Sequence, residues 1–184
     1  MNSPVKPMTV EAYIGWAVRQ PRGRFELMHG EIVPMNAERT GHARLKHRIA
    51  VALEQAIKSA GIKGHMLPDG ATVRIDDHTA FEPDALVYCG DLLPDDTIII
   101  PAPIIVVEVL SPGTASIDVG AKFAGYFKVR SLRHYLIVDG PGKEVTHHRR
   151  LADGTIRSEI ISEGMIVLEP PGLTVPLAAI FAAR

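Results

Sequence analysis

Hydrophobic and polar positions alternate along the chain with two different periods, which predict helices and strands. Apolar residues recur at helical spacing from Val10 to Arg19, after a suitable N-cap at Thr9. They do so again over Thr40–Ala60, where Gly61 is placed to end the helix. A third helix with a looser apolar face is predicted over Ser116–Arg130. These helices divide the chain into strand-rich segments.

Strand-like runs fill the intervals between the helices. The sequence FELMHGEIVP predicts two strands joined by a turn at His29-Gly30. The run Ile104–Leu110 is almost continuously aliphatic, which is typical of a strand covered on both faces. The last residues, PPGLTVPLAAIF, predict a docking tail with a short terminal helix. Further strands are predicted at Gly64–Leu67, Ala71–Ile75, Phe81–Tyr88, His134–Asp139 and Ile156–Ile161.

The order of these elements favours one domain over residues 1–184. Helix, hairpin, helix, strands, helix and strands follow one another without a repeat or a flexible linker. This order predicts an α+β or α/β fold with a mixed central β-sheet flanked by helices and preceded by the N-terminal hairpin. A hydrophobic fraction of 46% in 184 residues is enough to form a real core.

Composition excludes several classes of protein. The net charge of −1 argues against a strongly basic nucleic-acid coat protein, although it leaves room for a locally basic face. Cys89 is the only cysteine, so there is neither an internal disulfide nor a cysteine-rich zinc site. The longest apolar run, Thr97 to Leu110, is too short and too interrupted to span a bilayer. We expect a cytoplasmic protein that does not bind membranes.

Two carboxylates interrupt the apolar strands. Asp84 and Glu108 are expensive to bury unless they are paired or bound to a metal. If their strands are neighbours, both can converge at one end of the sheet, where Mg²⁺ (or Mn²⁺) would find the oxygen ligands it prefers. The backbone carbonyl of Val109 is a further candidate ligand. Lys122, with Tyr126 one turn later, could stabilise charge on a phosphate.

Each of these residues also has an ordinary structural interpretation. Asp84 follows Pro83 and could be a loop-side or ion-paired residue. Lys122 could be a solvated helix lysine that pairs with Asp118. Glu108 fits such an interpretation less well, because aliphatic residues bracket it on both sides.

The motifs, taken together, resemble a known family. The hairpin FELMHGEIV, the helix opening GHAR, and the segments EPDALV, VVEVLSPGT, DVGAK and RHYLIVD are similar to the Uma-two family of restriction endonuclease-like proteins, a branch of the PD-(D/E)XK nuclease superfamily. The resemblance covers nearly the whole chain and implies a restriction-endonuclease-like core. It implies that Asp84 and Glu108 are metal ligands.

The lysine departs from the superfamily pattern. That pattern has a lysine two residues after the second acid, where this chain has Leu110. The resemblance implies that Lys122, on the following helix, takes this role. It also implies an extra catalytic carboxylate at Glu26, which could equally be an exposed strand residue. For His42, which matches a family histidine, we expect a capping or structural role.

Three basic groups are candidates for phosphate contacts to DNA. Each is more typical of a solvated face, but together they could bind a backbone despite the neutral total charge. With aromatic residues at 5%, base-stacking platforms are not expected. His147 and His148 would not share a metal ion, because neighbours on a strand point to opposite faces. The groups are Arg39, Arg44, Lys46 and Arg48; Lys128, Arg130 and Arg133; and His147, His148, Arg149 and Arg150.

The sequence therefore favours a Mg²⁺-dependent endodeoxyribonuclease with Asp84, Glu108, Lys122 and Glu26 as catalytic residues. A non-catalytic module that keeps the nuclease fold for protein or nucleic-acid binding is the alternative, and hydrolysis of another phosphoester is a third. Because one site cuts one strand, double-strand cleavage would call for a homodimer. Exposed edge strands near the C-terminus are the candidate interface.

Overall fold

Most of the predicted elements form where the sequence pattern indicates. The computed structural model describes residues 6–35, 37–110 and 117–181. The helices are α1 (Val10–Ala17), α2 (Thr40–Ala60), α3 (Ile117–Tyr126) and α4 (Leu177–Phe181). The strands are β1 (Phe25–Met28), β2 (Glu31–Pro34), β3 (Gly64–Pro68), β4 (Val73–Asp76), β5 (Thr79–Phe81), β6 (Ala85–Cys89), β7 (Pro103–Val109), β8 (His134–Asp139), β9 (Glu144–Arg150), β10 (Ile156–Ile161), β11 (Met165–Leu168) and β12 (Leu173–Pro176).

A six-stranded mixed sheet forms the centre of the described structure, in the order β10-β9-β8-β7-β6-β3. Adjacent strands in this sheet are antiparallel, except that β7 and β8 are parallel. These two strands are connected through α3. A parallel pair needs such a crossover. β6 and β7 are antiparallel neighbours, with Ala85 opposite Val107. The mixed α+β architecture is confirmed, and the strands expected to carry Asp84 and Glu108 are adjacent.

A smaller four-stranded sheet, in the order β2-β1-β5-β4, carries the N-terminal hairpin. The turn residues His29 and Gly30 have φ angles of 53° and 83°. Positive φ at both central residues matches the twist of a tight hairpin, and glycine adopts it without strain. The predicted turn is therefore confirmed.

Two cores cover the two faces of the central sheet. On one face, α2, α4 and the β11-β12 hairpin bury a cluster that includes Leu53, Ile105 and Leu173. On the other face, Val106 and Tyr126 pack with aromatic and aliphatic residues from β4 and β5. β7 is thus covered on both sides, as its aliphatic run predicts. Within the described part of the chain, no helix is both long and apolar enough to cross a membrane.

Two predicted elements differ in part from the observed structure. The strand expected over Phe81–Tyr88 is split, because β5 ends at Phe81 in the smaller sheet and β6 begins at Ala85 in the larger one. Pro83 lies at the crossing, where it has no N–H to give to a ladder. At the C-terminus the predicted short helix is present as α4, but the residues before it, expected as an irregular tail, form the β11-β12 hairpin, whose buried and exposed residues alternate.

Candidate active site

Four of the predicted residues meet where the two sheets and α3 approach one another. The ammonium of Lys122 donates to Oε1 of Glu26 at 3.0 Å and to Oε1 of Glu108 at 3.1 Å. The hydroxyl of Tyr126, one turn later on α3, donates to the same Oε1 of Glu108 at 2.6 Å. These side chains come from β1, β7 and α3. Glu108, Lys122 and Glu26 therefore form one hydrogen-bonded network.

Glu26 is held in this network from the hairpin side. Its Oε1 also accepts from the backbone N–H of Glu82 at 2.9 Å, which ties β1 to the segment between β5 and β6. Glu26 and Lys122 are each only 5% exposed. The interpretations of Glu26 as an exposed strand residue and of Lys122 as a solvated lysine are therefore wrong. The suggested pairing of Lys122 with Asp118 lies outside the described side chains.

Asp84 lies next to this network, immediately before β6. Its Oδ2 accepts from the backbone N–H of Val109 at 2.6 Å, so its carboxylate lies beside the residue that follows Glu108. Its Oδ1 is 2.9 Å from the ammonium of Lys46. Asp84 is 6% exposed, and the ion pair with Lys46 offsets part of the cost of burying it.

Lys46 is the site residue whose position sequence reasoning missed. Its ammonium also lies 2.6 Å from Glu38 and 2.6 Å from Asp69. Burial lowers the pKa of Lys46, but the carboxylates of Asp84, Asp69 and Glu38 outweigh this and raise the pKa above its ordinary value. By sequence alone, Lys46 belongs to a cluster of basic residues at the start of α2 that is typical of a solvated face. Its position beside Leu45 on the apolar side of α2 indicates that its methylene chain is covered, but not which group its ammonium contacts.

A small cleft opens on the Lys46 side of Asp84. Its volume is about 220 Å³, and α2 and the end of β3 form its walls. The cleft gives the buried Lys46-Asp84 pair a neighbouring space that water or a ligand group can enter. Its lining residues are Glu38, Ala43, Lys46, His47, Ala50, Pro68, Asp69 and Asp84.

Glu108 has the most perturbed carboxyl group of the network. Burial raises its pKa to about 8, the Lys122 ammonium opposes this rise, and the negative charges of Asp84 and Glu26 add to it. Three carboxylates thus share one region, with Lys46 on one side and Lys122 on the other. Repulsion between these carboxylates favours the binding of a cation between them.

His42, near the start of α2, contacts two residues at the edge of the site. One ring nitrogen, Nε2, is 2.9 Å from the carbonyl oxygen of Val109, and Nδ1 is 2.7 Å from Oε1 of Glu38. The carbonyl expected as a metal ligand therefore already has a histidine partner. A carbonyl oxygen has two lone pairs, so one remains available for a second partner.

The donor atoms fit a hard divalent cation. Asp84, Glu108 and the carbonyl of Val109 supply only oxygen, and both hydrogen bonds described for Glu108 fall on Oε1 rather than Oε2. In the ranges that the structure describes, no group of three or more His, Cys, Asp or Glu residues is arranged to hold a metal. Two carboxylates with the remaining positions left to water and substrate are a typical Mg²⁺ arrangement.

Some members of the three basic groups are buried and cannot contact a DNA backbone from the surface. In the first, Arg39 and Arg44 are exposed but Lys46 is buried. In the third, His147 is buried, and the guanidinium of Arg150 donates to the carbonyl oxygens of Leu132 and Val129 near the end of α3. His147 and His148 lie on opposite faces of β9, as predicted. They contact His134 and Ser158 respectively.

Comparison with known proteins shows the family. The family model described as "Uma2: Putative restriction endonuclease" matches residues 10–179. The chain belongs to this family. The chain is also 28% identical over 154 residues to the uncharacterized protein slr1290 of Synechocystis sp.. The aligned region covers 83% of this chain and 80% of that protein.

The fold of this Uma2 protein is also that of a solved structure. A crystal structure titled as a putative nuclease belonging to DUF820, from Anabaena variabilis, superposes with a TM-score of 0.77. The match covers 96% of this chain and 98% of that one at 16% identity. At this identity the match shows a shared fold and leaves the chemistry to be argued from the site.

Proposed function

We propose that this Uma2 protein is a divalent-metal-dependent endonuclease with a PD-(D/E)XK core that hydrolyses DNA phosphodiester bonds. The observation that carries the proposal is the meeting of Glu26, Glu108 and Lys122 in one hydrogen-bonded network, with Asp84 beside it. Buried carboxylates held beside a lysine at strand ends have the chemistry that phosphodiester hydrolysis uses. The family description is consistent with this activity.

Asp84, Glu108 and the carbonyl of Val109 would hold Mg²⁺ or Mn²⁺. When bound, the ion would lower the pKa of a coordinated water and screen the negative charge of the phosphate. The pKa of about 8 for Glu108 without metal implies that a cation must compete with a proton for this carboxylate. Binding should therefore strengthen as pH rises towards 8.

The lysine and tyrosine would orient the reacting groups. Lys122 can donate more than one hydrogen bond, so it can contact a phosphate oxygen while it keeps Glu26 or Glu108. Tyr126 fixes the rotamer of Glu108 through the short contact to Oε1. Glu26, which accepts both from Lys122 and from the Glu82 N–H, would hold the ammonium in place.

Metal binding and cleavage can be measured on the same protein. Titration calorimetry with Mn²⁺ and cleavage of plasmid and linear duplex DNA would compare wild type with Asp84→Asn. Asp95→Asn, on the exposed loop before β7, is a matched control. We expect loss of binding and cleavage in Asp84→Asn alone. Absence of both in wild type would refute the proposal, and cleavage of only RNA or small phosphoesters would redirect it.

A second candidate is a non-catalytic module that binds protein or nucleic acid. It is favoured by the two ion pairs Lys46-Asp84 and Lys122-Glu108, which neutralise both acids without a metal. On this hypothesis, Asp84→Asn and Glu108→Gln would bind DNA as well as wild type, and neither Mg²⁺ nor Mn²⁺ would change the affinity. Filter binding with and without metal separates the two functions.

A further inference from the structure

The strand β10 forms one end of the central sheet and has no partner on its outer side within the described residues. Residues Arg157 to Ile160 are all exposed, and Ile160 is 66% exposed. A strand edge of this kind is a template for pairing with another strand. Natural edges are usually blunted by charged side chains, proline, a bulge or a covering loop. β10 has two charged side chains, Arg157 and Glu159, and their signs are opposite. β10 is paired with β9 in an unbroken register of six residues and contains no proline.

The hydrogen bonds of β9 show which groups of β10 point outwards. The N–H of Leu151 donates to the carbonyl of Thr155 at 2.8 Å, so this pair is hydrogen-bonded towards β10. Because hydrogen-bonded and non-hydrogen-bonded pairs alternate in an antiparallel ladder, Arg157 and Glu159 also point towards β9. The N–H and C=O groups of Ile156, Ser158 and Ile160 therefore point to the open edge.

We propose that β10 pairs antiparallel with β10 of a second copy of this chain, about a two-fold axis at Ser158. In this register Ser158 is opposite the partner's Ser158, and Ile156 is opposite the partner's Ile160. The outward backbone groups then meet as hydrogen-bonded pairs along the strand. Two six-stranded sheets become one continuous sheet.

The side chains of β10 are complementary to themselves in this register. On one face, Arg157 lies opposite the partner's Glu159, and symmetry repeats this ion pair on the other side of the axis. On the other face, Ile160, which is 66% exposed in one copy, meets the partner's Ile156. A shift of the register by one residue would pair Arg157 with the partner's Ser158 and remove both ion pairs. Charge complementarity therefore selects one register.

The charged groups of β10 are available for this contact. Oε1 of Glu159 lies 3.4 Å from Nδ1 of the buried His147, which is an ion pair only when the ring is protonated, and burial lowers the pKa of that ring. Arg157 is opposite Arg149 on β9, so within one copy it faces a like charge. Pairing with the partner's Glu159 would offset that repulsion.

The inference is independent of the proposed nuclease activity, because it rests on β10 and not on the site at β6 and β7. Charge reversal gives a direct test by sedimentation velocity of the full chain. Arg157→Glu and Glu159→Arg should each weaken dimerisation about tenfold or more, since each creates two like-charge contacts. The double variant R157E/E159R restores both pairs with reversed polarity and should dimerise like wild type. A monomeric wild type, or a double variant as weak as the singles, would overturn the proposal.

Cysteine cross-linking tests the position of the axis. In a Cys89→Ala background, Ser158→Cys brings two thiols together across the axis, where Cα atoms of a hydrogen-bonded pair lie about 5.5 Å apart and a disulfide can form. Arg157→Cys in the same background places the two thiols on a diagonal, which is too long for efficient bridging. We expect a covalent dimer from Ser158→Cys only. Equal cross-linking of both variants, or of neither, would refute this register.

Discussion

Replacing Glu108 with glutamine removes a buried carboxyl group whose ionisation the fold opposes. Its folded pKa of about 8 exceeds the ordinary value of 4.5 because the group is buried near two other carboxylates. The folded state therefore binds the proton more tightly than the unfolded state. The stabilising contribution of protonated Glu108 is complete below pH 4.5, and it is lost as pH rises to about 8.

The size of the effect follows from the shift. Moving a pKa from 4.5 to about 8 corresponds to about 5 kcal/mol between the two limits. This is an upper value, because the side chain of Glu108 keeps 14% of its exposure and water can screen part of its charge. Between pH 5 and pH 7.5, wild type should lose about 1 kcal/mol of unfolding free energy per pH unit relative to Glu108→Gln.

Urea unfolding followed by circular dichroism from pH 5 to pH 9, without divalent metal, measures this difference. Glu163→Gln, at an exposed turn, is a matched control and should run parallel to wild type. Saturating Mg²⁺ should flatten the wild-type curve, because a bound cation favours the carboxylate. A constant difference between wild type and Glu108→Gln across the pH range would refute the argument that burial raises this pKa.

Three further substitutions test the packing and charge of the site. Lys46→Met should lower the free energy of unfolding by about 3–5 kcal/mol at pH 7, measured with urea, because the buried carboxylate of Asp84 loses its positively charged partner. If Lys46→Arg regains most of this free energy, the positive charge is the cause. Tyr126→Phe should lower the free energy of unfolding by about 1.5–3 kcal/mol at pH 9, where Glu108 is ionised, because a hydrogen bond to the carboxylate is lost. NMR titration should show the pKa of Glu108 raised further, because this hydrogen bond favours the ionised form. In the same urea assay, Gly125→Ala should lower the free energy of unfolding by about 1–3 kcal/mol, because its Cβ would lie 2.7 Å from a ring carbon of Phe81. Gly120→Ala, at an exposed position of the same helix, should raise it by about 0.5–1 kcal/mol.

The sequence alone determined the elements whose signals are local. The two-residue turn at His29-Gly30 follows from the need for positive φ. The helix over Thr40–Ala60 follows from its apolar spacing and from Gly61, whose φ of 61° ends it. The aliphatic run around Glu108 marked a strand buried on both faces and singled out its one carboxylate. Period and turn chemistry act over a few residues, so they can be predicted from the pattern.

Which charged side chains contact one another depends on the tertiary fold. Lys122 reaches Glu26 across 96 residues of sequence, and Lys46 on α2 reaches Asp84 before β6. No local period records such contacts, since a lysine beside an apolar stripe looks the same whether its ammonium reaches water or a buried carboxylate. The break at Pro83 likewise depends on a second sheet that competes for the chain. The sequence determines which positions carry charged side chains that are unfavourable to bury, and tertiary packing determines which opposite charges stabilise them.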